Sequence, residues 1–364
     1  MLKRRDFMLG MASAAALASL SPGLLAQTRE SYFISAANTA AGEHRVLIAD
    51  VQGRVLHSLE VAERCHAGCV RPGSEEVAFF SRRPGRQLNI IDAKQGRLIQ
   101  VVSSEPGEHF YGHGMFSPDG ELLYATAHRY EESEGVLNVY AAAQGYRQVD
   151  QIRLGVMDPH EVRLHPNGRD LVIAAGGIQT HPDYDRIKLN LDRMQPALLV
   201  VDRLTGKVTQ RHQPSHHQLS MHHLDISPEG IVVAGYQFEG PEWERPNLIA
   251  WLDVEKQRFE EIRLPDTDQQ VLRNYIASVV MDTVTGVAAV TAPRGNRMVL
   301  LDYRQRRYLH SIELQDVSGV LPLPEGGFIC TSGTGGVYRL APGSLQLKQL
   351  SADSIRWDNH LTQV

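Results

Sequence analysis

A turn built on proline and glycine returns four times in closely similar form: C-H-A-G-C-V-R-P-G, Y-G-H-G-M-F-S-P-D-G, P-H-E-V-R-L-H-P-N-G and M-H-H-L-D-I-S-P-E-G. Equivalent turns at Asp282 and Pro324 extend the series. The anchors Pro72, Pro118, Pro166, Pro228, Asp282 and Pro324 are then spaced 46, 48, 62, 54 and 42 residues apart. Four-stranded propeller blades have unit lengths of roughly 40–50 residues. Between the anchors the chain reads as strand after strand, and helical periodicity is nearly absent. R-V-L-I-A-D-V-Q-G-R-V-L-H-S-L-E-V and L-N-I-I-D-A-K-Q-G-R-L-I-Q-V-V each place two strands around a Gln-Gly turn. In these and two later copies a β-branched run ends in Asp, at Asp50, Asp92, Asp202 and Asp302.

Six units lie inside the chain. The terminal S-I-R-W-D-N-H-L-T-Q-V reads as an inner strand without outer partners, and residues 32–61 read as outer strands without an inner one. Joining them gives a seventh blade and leaves no free sheet edge around the ring. The expected fold is all-β, a seven-bladed β-propeller whose ring closes by pairing the N- and C-terminal strands, with residues 27–364 as one domain.

The composition is that of an ordinary globular chain, 42% apolar and 22% charged over 364 residues, with a formal net charge of -5. It carries no long basic block, which argues against nucleic acid. Residues 1–26 read as a twin-arginine signal peptide. Arg4 and Arg5 precede Phe7, Met8 and Leu9, and an Ala-rich apolar stretch follows that is too short and broken to span a bilayer well. The expected location is periplasmic, with no membrane span after cleavage and a monomeric state. Only Cys65, Cys69 and Cys330 are present. Four residues along an extended strand separate Cys65 from Cys69 by about 13 Å, too far for a bridge.

Histidine recurs with the turn. His66, His160 and His222 stand six residues before their proline, and His113 and His223 stand five before theirs. If each copy is the innermost strand of a blade, these imidazoles and His360 of the terminal strand converge near the axis. Neutral imidazole suits zinc, copper, iron and nickel. The alternative is that they hydrogen-bond neighbouring blades or line a wet channel. Strand alternation sends positions five and six to opposite faces, so His113 and His223 are expected to aim differently from the others. The same alternation separates His160 from Glu161. The units around Asn274-Tyr275 and Ser318-Gly319 carry no equivalent histidine.

The long third spacing comes from an insertion at residues 178–196, expected between that blade's second and third strands and on the face where inner strands begin. It carries His181, Asp183, Tyr184 and Arg186, then Lys188 and Asn190. With Arg82, Arg83 and Arg294 from other loops, these residues suit an anionic ligand such as a metal chelate or carboxylate. A plainer reading of the insertion is a loop tied down by its own turn residues. No G-x-S-x-G, H-E-x-x-H or phosphate-cradling glycine loop occurs, and no residue is assigned a catalytic role.

H-G-M-F-S-P-D-G, the G-G-I-Q-T-H-P-D segment, K-L-N-L-D-R-M-Q-P, N-Y-I-A-S-V-V, T-S-G-T-G and W-D-N-H-L resemble the DUF1513 family across essentially the whole chain after the leader. The resemblance implies an exported YVTN/WD40-like seven-bladed propeller with a twin-arginine leader. It also implies a setting beside imelysin/EfeO-like lipoproteins and di-haem oxidoreductase-like proteins, hence periplasmic iron uptake and such partners. It implies no chemistry for any residue. Three functions follow as expectations. The first is a binding module that uses the histidine pocket for a transition metal (iron or copper), haem or a metal chelate, or docks an iron-handling partner. The second is a propeller enzyme, a metal-dependent oxidase, hydrolase or lyase, with its active site at the same axial mouth. The third is a pure protein-interaction platform.

Overall fold

In a computed structural model that describes residues 32–184 and 187–364, seven antiparallel sheets follow one another around a ring. Blades 1 to 6 run through residues 65–103, 108–153, 159–212, 219–262, 278–313 and 317–351, each four strands in simple up-and-down order. Blade 7 joins the two ends of the chain. Tyr32–Asn38, His44–Asp50 and Val55–Glu60 supply its outer strands, and two short pieces, Arg356–Trp357 and Thr362–Gln363, supply the innermost one. The leader read at residues 1–26 lies outside the described residues. No described helix is long and apolar enough to cross a membrane.

The strand pattern follows from burial. Second and third strands are covered by neighbouring blades on both faces and read as near-continuous apolar runs, as in Ala197–Asp202 (A-L-L-V-V-D), buried throughout. Fourth strands face solvent, and Arg97–Ser103 is exposed at almost every position. The recurrent Asp has a local cause. The Oδ1 atoms of Asp92, Asp202 and Asp302 accept backbone N–H bonds from Gln95, Leu204 and Gln305 at 2.8, 2.9 and 2.8 Å, closing the turn into the fourth strand. The Pro-x-Gly turns close equally tightly: Gly120 N–H donates to the Ser117 carbonyl at 2.9 Å with φ +69°.

All three cysteines are free thiols. One element escaped the sequence pattern, a six-residue helix Asp266–Val271 between blades 4 and 5. The 178–196 insertion does fall between the second and third strands of blade 3, Asp170–Ala175 and Ala197–Asp202.

Candidate metal centre

The inner strands of blades 1 to 4 open the site because each breaks its ladder at a histidine. Pairing with the second strand shifts register between Cys65 and Gly68, Phe110 and Gly114, Pro159 and Glu161, and Met221 and His223. His66, His113, His160 and His222 are among the residues left unpaired. In blade 7 the inner strand is interrupted between Trp357 and Thr362, and His360 lies in the gap. A bulge inserts a residue and re-aims the side chains around it. The alternation expected for His113 and His223 against His66, His160 and His222 therefore fails, and the six rings gather in one cluster. The same bulge places His160 and Glu161 on the same cluster, against expectation. Blade 5 pairs regularly through Ser278–Asp282 and contributes no histidine.

The rings are closely gathered. Centroids of His66 and His360 are 4.5 Å apart, His66 and His113 4.9 Å, His113 and His160 5.1 Å, His223 and His360 4.5 Å, and His160 and His222 4.2 Å. None of the six is more than 7% exposed. Four overlapping triads have ligand atoms within 4.8 Å of one another: His66, His113, His160; His66, His223, His360; His160, His222, His223; and His113, Glu161, His223.

Behind the rings stand groups that fix their tautomers. Asp358 is a buried carboxylate accepting from Arg64 Nε at 2.9 Å, so His66 Nδ1 donates to its Oδ1 at 3.2 Å and Nε2 is left with a free lone pair. His223 Nδ1 donates to Glu161 Oε2 at 3.2 Å, and Arg163 holds the other Glu161 oxygen at 2.7 Å. The single Ser220 hydroxyl proton goes to the Gly176 carbonyl at 3.0 Å, so Ser220 Oγ accepts from His222 Nε2 at 2.9 Å and Nδ1 of that ring is bare. Outer carboxylates and hydroxyls of this kind orient metal-bound histidines.

Burial pushes the imidazoles of His66, His113, His160 and His360 well below their ordinary range; the Arg82 guanidinium adds to it for His66, and the crowded rings resist being protonated together. They are neutral, the form that ligates. Burial alone would raise the Asp158 carboxyl. The imidazoles of His160 and His222 and the Arg83 guanidinium outweigh it and keep the group ionised.

Seven buried polar atoms around this point have no hydrogen-bond partner: both Asp158 carboxylate oxygens, Arg83 Nη1, His113 Nε2, His160 Nδ1, His222 Nδ1 and His360 Nε2. Asp158 is wholly buried, with Arg83 Nη1 3.7 Å, His160 Nδ1 3.8 Å and His222 Nε2 3.7 Å away. Buried polar groups in folded proteins are nearly always paired.

The cluster opens into a cavity of about 310 Å³, lined by His66, His160, His222 and His223 on the floor and by Arg82, Arg83, Lys188 and Arg294 on the wall. Of the residues singled out in sequence for an anionic ligand, Arg82, Arg83, Lys188 and Arg294 line this cavity. His181 does not; its ring packs against Tyr130 at 5.0 Å and Tyr184 at 5.8 Å. Asp183 donates its N–H to His181 Nδ1 at 3.2 Å, and Tyr184 is 55% exposed. Arg186 lies outside the described residues. Asn190 is a structural tie, bonded to Gln179 N–H and the Gly177 carbonyl at 2.7 and 2.8 Å. Sequence reasoning missed Asp358 and Ser220, although Asp358 stands two residues before His360.

The sequence profile of DUF1513, described as a protein of unknown function, matches residues 59–364. The chain belongs to the DUF1513 family. No curated protein matches the sequence significantly. Among solved structures, the DUF1513 chain is similar to hydrazine synthase of Kuenenia stuttgartiensis, with a TM-score of 0.62 and 14% identity over 85% of this chain and 90% of that one. At that identity the likeness shows a common fold and nothing finer.

Proposed function

We propose that this DUF1513 chain is an exported metal-binding propeller, holding a transition-metal ion in the six-histidine pocket at the axial mouth. The observation that carries the reading is the set of unpartnered buried atoms on His113, His160, His222, His360 and Asp158. They converge on one pocket, with Asp358 and Glu161 behind the rings.

Imidazole with carboxylate nearby suits iron, copper or zinc, and the iron-handling setting implied by the family resemblance favours iron or copper. The geometry favours a bare ion over haem, since facing rings 4.2–5.1 Å apart leave no slot for a porphyrin. A periplasmic location and imelysin/EfeO-like or di-haem oxidoreductase-like partners remain part of this proposal.

One observation supports an enzyme instead. Blades 5 and 6 supply no imidazole, so the cluster is open on that side and the cavity reaches it. An ion with an open position is able to act on a bound molecule.

Elemental analysis of protein purified from its native compartment tests the reading. Metal is expected to survive dialysis and to vanish in a His113→Ala/His160→Ala variant of unchanged circular dichroism. A metal-free protein whose melting temperature ignores iron, copper and zinc overturns it. Turnover of a peroxide or of a cuprous or ferrous donor by the loaded protein favours the enzyme.

A further inference from the structure

The wall of the cavity carries more positive charge than the structure answers. Arg82, Arg83, Lys188 and Arg294 line it, and none of its twelve lining residues is a carboxylate. Asp358, behind the wall, serves two guanidiniums at once, Arg64 Nε at 2.9 Å and Arg82 Nη1 at 3.3 Å, as well as His66. Arg83 is 9% exposed, and its Nη1 has no hydrogen-bond partner. Arg294 lies over the Tyr275 ring at 4.1 Å and has no carboxylate partner among the described residues. Lys188 has Glu239 as its counter-ion and Arg83 faces Asp158 at 3.7 Å, so Arg294 is the wall cation left without a carboxylate.

A metal ion on the floor deepens the imbalance. Neutral imidazoles do not reduce its charge, Glu161 is already engaged by Arg163, and Asp158 also answers Arg83. Uncompensated charge in a buried site is costly. Guanidinium forks answer it best with an oxyanion, taken through paired N–H···O bonds.

We propose that the cavity is an anion subsite, in which a small carboxylate- or phosphate-bearing molecule binds against Arg83 and Arg294 and completes the coordination of the metal below. The inference rests on the metal reading for its second half alone. Its first half stands on the cationic wall and on Arg294, which no carboxylate of the described residues answers. A cavity of about 310 Å³ restricts the ligand to a small one. A second cavity of about 520 Å³ shares Arg294 and sets Arg245 and Arg273 against Glu239 and Glu242, so the excess of positive charge is confined to the first.

The experiment is equilibrium dialysis of the full chain, metal-free and metal-loaded, with labelled inorganic phosphate and with citrate. At least one of the two is expected to bind the wild type at least tenfold more tightly than an Arg83→Gln/Arg294→Gln variant, with binding weakened by salt. The arm that binds identifies the ligand as phosphate- or carboxylate-bearing. Arg294→Gln alone, at an exposed position, serves if the double variant misfolds; it is expected to keep its metal and lose anion affinity. Equal affinities in wild type and variants, or no binding of either probe, overturn the subsite. If the wild type retains no metal, the metal-free titration still decides, and arginine-dependent binding there upholds the anion subsite while the metal reading falls.

Discussion

His66 Nδ1 stands 3.2 Å from Asp358 Oδ1, across 292 residues of chain. That contact joins blade 1 to the strand that closes the ring, and it sets which nitrogen of His66 faces the pocket. Replacing Asp358 by Asn removes the charge that answers Arg64 and Arg82 and no longer fixes the His66 tautomer. Metal affinity is expected to fall about 10–100-fold, read by competition with a coloured chelator. An unchanged affinity would mean that His66 is not a ligand.

Gly112 has φ +104°, and a Cβ there would stand 2.8 Å from His66 Cδ2 and 2.9 Å from His66 Cβ. Gly112→Ala thus combines backbone strain of about 1–3 kcal/mol with displacement of the ring. Gly107 has φ +83° with nothing within 4 Å of its added Cβ. Both variants are expected to lose stability in urea, but only Gly112→Ala to lose metal. Metal loss in both would uncouple the effect from His66.

Acid should weaken the metal-free protein. His109 and His128 are fully buried, and burial lowers their imidazoles to about 4 and about 3. The unfolded chain takes up these protons from about pH 6.5 downward, while the folded chain refuses them until the lowered values are reached. Stability present above pH 6.5 is accordingly lost as pH falls toward 4, by about 3 kcal/mol from His109 alone. Neither nitrogen of His128 has a hydrogen-bond partner. His128→Phe should then match the wild type at neutral pH and show a flatter urea midpoint against pH. A slope identical to wild type would place the acid sensitivity elsewhere.

Binding should be visible as heat resistance. At a metal concentration 100-fold above its dissociation constant, the folded state gains about 2.7 kcal/mol. The melting temperature of the wild type should rise with added ion, and that of His113→Ala/His160→Ala should not. A rise in both proteins would point to adventitious surface binding.

Trp357 is 3% exposed and packs against Phe33 with ring centroids 5.7 Å apart. Trp357→Ala is expected to cost about 3–5 kcal/mol, measured by urea unfolding, and to lower metal occupancy, because His360 and Asp358 follow directly in the interrupted strand. Full occupancy at reduced stability would show that the site holds its shape without this packing.

The ring was legible because its signals are local: turn chemistry at Pro118-Asp119-Gly120, the strand-ending Asp92 and Asp202, and apolar runs such as Ala197–Asp202. The closing blade was legible too, since Trp357 and its neighbours are strand-like with nothing nearby to pair with. The histidines were recognised by their distance from the proline, but their directions were not. A bulge at His222 depends on how Met221 and His223 pair with the second strand, and no periodicity in the sequence records that. Glu161 was set aside on the same alternation. Ser220 and Asp358 were invisible for another reason, as each matters only through a partner that tertiary structure supplies.

His360 and Asp358 belong to the segment that pairs with Tyr32–Asn38. Until the two extremities of the propeller meet, neither the sixth imidazole nor the anchor for His66 is in place. A captured ion would bridge that seam from inside and act as a latch on the finished toroid. Occupancy would then certify that the circle has shut, and prising it open would first require surrendering the cargo.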